Sequence, residues 1–100
     1  MKKKGNGAAA KRERVQQAER RRVTRGKLLD ATIESLVDRG YARTTTVEVG
    51  ERTGLSRGTQ LHHFPSRADL LVAAIEHLAD ERSKDFEAEV EARFARGDDP

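Results

Sequence analysis

Apolar residues are sparse along this chain, and where they gather they do so at helical spacing. Leu28, Leu29, Ile33, Leu36 and Val37 recur at three- and four-residue steps, the stripe of a helix with one face against a core. Gly40 stands where that helix must end and is free to take the left-handed conformation that closes many helices. Tyr41 follows as the hydrophobic residue expected to fold back on it. A second stripe of Leu70, Leu71, Ala74, Ile75 and Leu78 runs through residues 67–86.

Polar residues punctuate the stretch between the stripes. "TTTVEVGERTG" carries a capping box, in which the Thr45 hydroxyl accepts from the amide of Glu48 and the Glu48 carboxylate reaches back to the amide of Thr45. Gly54 stops the helix so opened about two turns later. Val47 is expected on its inner face, with Val49 and Gly50 close to the contact with its neighbours. Ser56 caps the next helix, which runs to His63 and is closed by Pro65, because proline disfavours helical backbone in the residue before it. Ser66, with Asp69 three places on, caps the last helix. No alternating β-branched segment lies between turn residues, so no strand is expected. The pattern predicts an all-α fold: a helix, a short helix, a tight turn, a second short helix and then a longer helix.

Composition narrows the function classes. With 100 residues, 35% hydrophobic and 37% charged, the chain has room for one small domain and no large core. The absence of cysteine excludes disulfides, thiolate catalysis and the common zinc-finger ligand sets. No apolar run approaches the roughly 18 residues of a membrane span. The basic N-terminus has no apolar stretch behind it and is not a secretory signal. A cytoplasmic protein without a membrane contact is the expectation.

No nucleophile motif and no Gly-rich phosphate loop after a strand is present, so neither catalysis nor a cofactor is expected. His62 and His63 are neighbours in one helix with rings about 100° apart. His77 lies on another helix with no carboxylate spaced to complete a site, so no metal is expected.

Charge is the most uneven property of the chain. Residues 1–27 hold eleven Lys/Arg against two acids, residues 28–75 five against six, and residues 76–100 four against nine. The basic block is a solvated tail or serves an anionic polymer. The choice between these turns on whether a recognition element lies nearby. Two short helices joined through a Gly-containing turn, the second capped by serine, make such an element. The second is polar on its outer side and short enough to enter a major groove. Its N-terminal amides favour phosphate, and Gly58 would let the backbone approach one closely.

The stretch "GYARTTTVEVGERTGLSRGTQLHHFPSRADLL" also closely resembles the N-terminal DNA-binding domain of the TetR family of bacterial transcriptional regulators. The matches are Gly40-Tyr41, Thr45-Thr46, Gly54-Leu55-Ser56, Gly58, His63-Phe64, Ser66-Arg67 and Asp69-Leu70-Leu71, and the resemblance covers roughly residues 22–82. It implies phosphate contacts by Thr45, Thr46, Ser56 and Arg67, and places Arg57, Thr59, His62 and His63 for base edges or nearby phosphates. Arg57 suits a bidentate guanine contact. Gln60 suits adenine, but it occupies a normally buried position and ranks lower.

The chain departs from the family pattern at Gln60-Leu61, where a Leu-Tyr pair is usual. Leu61 is expected either to turn inward as an apolar anchor or to touch a thymine methyl. Gly50 and Thr53 replace the usual small alanines and should loosen the second helix.

The resulting layout is a basic N-terminal arm over residues 1–21, disordered or frayed; the DNA-binding domain over 22–82, with its helix-turn-helix at 45–64; and the start of a C-terminal helical region over 83–100. The resemblance implies double-stranded DNA as partner and repression at a palindromic operator. It implies a homodimer in a full-length form, and a small-molecule inducer if a C-terminal domain exists. The chain stops where that domain would begin, leaving Phe86, Val90 and Phe94 as an apolar seam on an acidic helix. The alternative is a helical module that binds protein or RNA through the basic arm and the acidic helix.

Overall fold

The computed structural model describes residues 3–97, with side chains from residue 7. Four helices make up the fold: α1 (Lys3–Arg39), α2 (Thr46–Thr53), α3 (Arg57–His63) and α4 (Arg67–Ala95). No strand occurs among the described residues. α1 packs on both α2 and α4, and α3 leans on α2.

The punctuation read from the sequence is largely what closes these helices. Gly40 and Gly54 have φ of 85° and 74°, the left-handed region that side chains with a Cβ avoid. Thr45, Ser56 and Ser66 each accept from the amide three residues on, at 3.1 Å in every case. The reciprocal half of the Thr45 box is absent. The Glu48 carboxylate instead takes the Arg52 guanidinium at 2.7 Å and lies 3.4 Å from Arg39. A charged donor outcompetes a backbone amide. Arg52 also donates to Asp38 at 3.1 Å, which ties α2 to α1. The hydrogen bond that Arg52 donates to Glu48, against some opposing burial, raises the Arg52 pKa above its ordinary value.

Leu28, Leu29, Ala31, Val49, Phe64, Leu70 and Ala74 form the core, with Leu71 buried beside them. It is small and holds a buried polar seam. Thr32 donates to the Leu28 carbonyl at 2.7 Å, and Thr44 to the Gly40 carbonyl at 2.8 Å. With its one proton so used, the Thr44 hydroxyl accepts from Ser35 at 2.9 Å. Each hydroxyl is therefore satisfied, the condition under which buried polar groups do not destabilise.

Four expectations of burial are corrected. Val47 is exposed and Val49 alone of the α2 side chains is fully buried, because a two-turn helix has room for one core-facing position. Val37 and Ile75 sit at the margins of their stripes and are exposed. Tyr41 does not fold back on α1; its ring lies 4.5 Å from the Arg67 guanidinium.

Residues 1–21, expected as a disordered or frayed arm, are helical from Lys3 onward and continuous with α1. Residues 8–25 are mostly Ala, Arg, Lys, Gln and Glu, which are strong helix formers. A helix already docked through its C-terminal half needs no new nucleation to continue upstream. Lys2, Lys3 and Lys4, expected as a mobile arm, lie outside the residues whose side chains are described. α4 likewise runs without a break across residue 82. No helix among the described residues is long and apolar enough to cross a membrane.

Candidate nucleic-acid interface

α3 has an inner and an outer side, and the fold sorts the candidate residues between them. Phe64 and Gln60 face inward, at 6% and 3% exposure. Arg57, Gly58, Leu61 and His62 are exposed, and Thr59 and His63 are half-buried. Thr45 and Thr46, at the start of α2, are half-buried too. Ser56, Arg57, Gly58, Leu61 and His62 therefore open to solvent from the capped N-terminus of α3 along its outer face.

The Ser56 hydroxyl accepts the amide of Thr59 and lies 3.0 Å from its hydroxyl, so the first turn of α3 is held from within. Gly58 is not there for packing. A Cβ added to it would meet only the Ser56 hydroxyl oxygen, at 3.9 Å.

Gln60 is the candidate that the fold removes from the open face. Its Nε2 donates to the Thr46 carbonyl at 3.0 Å, while its buried Oε1 has no partner. The amide stands where the family pattern has leucine, so it is packed inward as leucine would be. Leu61, for which an inward turn was one option, stays on the open side at 37% exposure.

Arg67 is also committed within the protein. Its Nε donates to the Thr44 carbonyl at 2.8 Å, its Nη2 donates to the Tyr41 carbonyl, and the guanidinium stacks on the Tyr41 ring. Arg67 ties the start of α4 to the α1–α2 loop.

Sequence reasoning missed the neighbourhood of the C-terminal end of α3. The Arg25 guanidinium lies 5.1 Å from the Phe64 ring centroid. Burial, then the charges of His62, Arg25 and Arg21, lower the pKa of His63 below its ordinary value. The basic face of α1 thus reaches the end of α3. The available signal was the placement of Arg25 and Arg21, one and two turns before Leu28 and Leu29.

A second miss concerns His77. Its Nε2 lies 3.4 Å from Glu81 and 3.5 Å from Asp30, and the three donor atoms fall within 4.8 Å of one another. Glu81 was one turn away on the same helix, whereas Asp30 arrives only through the packing of α1 on α4. Both carboxylates are exposed, and polar contacts of His77 across the packing of α4 on α1 account for the cluster.

A short capped helix held across a tight turn by the helix before it, with an open polar face, defines a helix-turn-helix DNA-binding domain. Residues 28–74 match the model of the bacterial regulatory proteins of the tetR family. The chain is 44% identical over 66 residues to the HTH-type transcriptional regulator CymR of Pseudomonas putida, which covers 66% of this chain and 32% of that protein. It is 35% identical over 57 residues to an uncharacterised HTH-type transcriptional regulator of Mycobacterium bovis, 57% of this chain and 29% of the relative. It is 34% identical over 58 residues to the regulator BetI of Burkholderia thailandensis, 58% of this chain and 30% of the relative.

Residues 28–74 are a helix-turn-helix domain of the TetR family's N-terminal type. That family consists of transcriptional regulators and is not enzymatic. The chain spans about a third of the length of these relatives. No solved structure matches it.

Proposed function

We propose that this chain binds duplex DNA sequence-specifically and represses transcription in the bacterial cytoplasm. The observation that carries the reading is the division of α3: Gln60 and Phe64 lock it inward while Arg57, Gly58, Leu61 and His62 stay open. In this reading Arg57, Thr59, His62 and His63 face base edges or adjacent phosphates, and Thr45, Thr46 and Ser56 hold the backbone. Repression is the sign proposed because occupying a site excludes other proteins without needing any further surface.

The operator would be palindromic and the bound form a dimer, with recognition helices about 34–36 Å apart in successive major grooves. The seam of Phe86, Val90 and Phe94 faces solvent on the far part of α4, with both phenylalanines exposed. It supports a dimerising helical region there, which would also be the place for a small-molecule inducer.

The test is a salt titration of binding to a random-sequence duplex, followed by selection of bound sequences. Binding through several phosphates predicts a steep loss of affinity with salt and enrichment of one motif. No duplex binding even at low salt would overturn the reading in favour of a protein- or RNA-binding module.

A further inference from the structure

The face of α1 that enters the core does not end where the core ends. Leu28, Leu29, Thr32 and Ser35 are buried on it. Followed upstream at helical spacing, the same face presents Arg25, Arg21, Ala18, Arg14 and Lys11, at steps of four, three, four and three residues. Those cations lie within about 40° of the Arg25 direction, and Glu13 and Glu19 lie about 120° to either side of it. Lys11, Arg14, Arg21 and Arg25 are all exposed. Among the described residues none of them enters an ion pair, whereas Arg22, nearer the edge of the stripe, is paired with Glu19 at 3.1 Å. An uncompensated row of like charge on one side of a helix repels itself unless an anion covers it.

The row is anchored next to the proposed reading helix. Arg25 sits over Phe64, the residue that closes α3. The charges of Arg21 and Arg25 both act on His63. From Arg25 to Lys11 the helix runs about 21 Å, the axial length of about six base pairs.

We infer that the upstream half of α1 is a second, rigid DNA contact, whose basic face of Lys11, Arg14, Arg21 and Arg25 lies on the phosphates flanking the segment that α3 enters. This rests on the DNA-binding reading above. The partner is the sugar-phosphate backbone of duplex DNA: a row of cations with a small residue, Ala18, at its centre reads charge and shape and carries no base code. It adds affinity without adding specificity.

The experiment compares three 100-residue chains on a random-sequence 30-base-pair duplex across a salt series. They are the parent, a stripe variant (Lys11→Ala, Arg14→Ala, Arg21→Ala) and a control with the same charge loss on α4 (Arg82→Ala, Lys84→Ala, Arg93→Ala). Alanine keeps the helices intact, and far-ultraviolet circular dichroism checks that. Each phosphate contact contributes a slope of about 0.9, so the stripe variant should lose about 2 to 3 from the slope of log affinity against log salt. The control should lose less than about 1.

Equal losses in the two variants, or none in the stripe variant, overturn the inference while leaving the DNA-binding reading intact. Failure of the parent to bind any duplex overturns both.

Discussion

The Gln60 amide and the backbone of α2 are fitted to each other: Gln60 Nε2 donates to the Thr46 carbonyl at 3.0 Å, packed closely against Gly50. A Cβ on Gly50 would lie 3.0 Å from that nitrogen and 3.2 Å from the Leu55 carbonyl oxygen. Gly50 and Gln60, each a departure from the family pattern, are thus one adaptation.

Gln60→Leu removes a buried acceptor that has no partner, a group that costs about 1–3 kcal/mol. It should raise stability by about 1 kcal/mol, or roughly 4–8 °C in Tm. Gly50→Ala alone should lower stability, because the crowded amide must give up the Thr46 carbonyl. In the Gln60→Leu background the same change should be neutral or stabilising, since the helix gains alanine's propensity of up to about 1 kcal/mol. Urea unfolding of the four proteins gives the coupling. Additive effects would show that the two positions do not meet.

Arg67 offers a second separation of structural from DNA-contacting roles. Two carbonyls and a tyrosine ring are held by one planar fork, which an ammonium group cannot reproduce. Arg67→Ala and Arg67→Lys should both destabilise, by about 1–3 kcal/mol, in the absence of any DNA. Were phosphate its only partner, unfolding midpoints would be unchanged and the lysine variant would keep most of the duplex affinity.

The helices of the domain were legible because their ends are written in local chemistry. Gly40, Gly54, Thr45, Ser56 and Ser66 act within three or four residues of themselves. Features that depend on which elements meet were not legible. Glu48 was matched to the nearest amide, when its partners are Arg52 on the same helix and Arg39 from α1. Val47 and Val49 are equally apolar, and only the placement of α2 decides that Val49 is buried. The site was legible as a stretch of residues. The inward commitment of Gln60 and Arg67, and the approach of Arg25 to Phe64, depend on tertiary packing that spacing does not encode.

Gly58 should show a trade between stability and binding. Its missing side chain is required by nothing inside the protein, and alanine favours the first turn of α3 by up to about 1 kcal/mol. Gly58→Ala should therefore hold or raise the Tm while weakening duplex affinity, because the added methyl stands where a phosphate would approach. Undiminished affinity in a titration with a selected duplex would remove Gly58 from the interface.

Arg57 bears on specificity. It is exposed beside the Ser56 cap, at the end of the helix that leads into a groove. A bidentate guanine contact is worth about 1–3 kcal/mol of discrimination, so Arg57→Ala should flatten the preference at one base step of a selected site. Equal losses on matched and scrambled duplexes would instead assign Arg57 to phosphate.

The lowered pKa of His63 ties protonation to folding and has a definite sign. Burial disfavours its charged form first, and His62, Arg25 and Arg21 add repulsion. Between its folded pKa and the unfolded value of about 6.5, the unfolded chain binds more protons than the folded one, so stability rises with pH. The contribution is fully present above the unfolded pKa and is lost as pH falls through the folded value. His63→Gln should therefore lose less stability than the parent when urea midpoints are compared from pH 8 down to pH 5. In the parent, Arg21→Ala should move the His63 ring-proton titration seen by NMR to higher pH, since one repelling charge is gone. A titration that ignores Arg21 would mean that the basic face of α1 does not reach the end of α3.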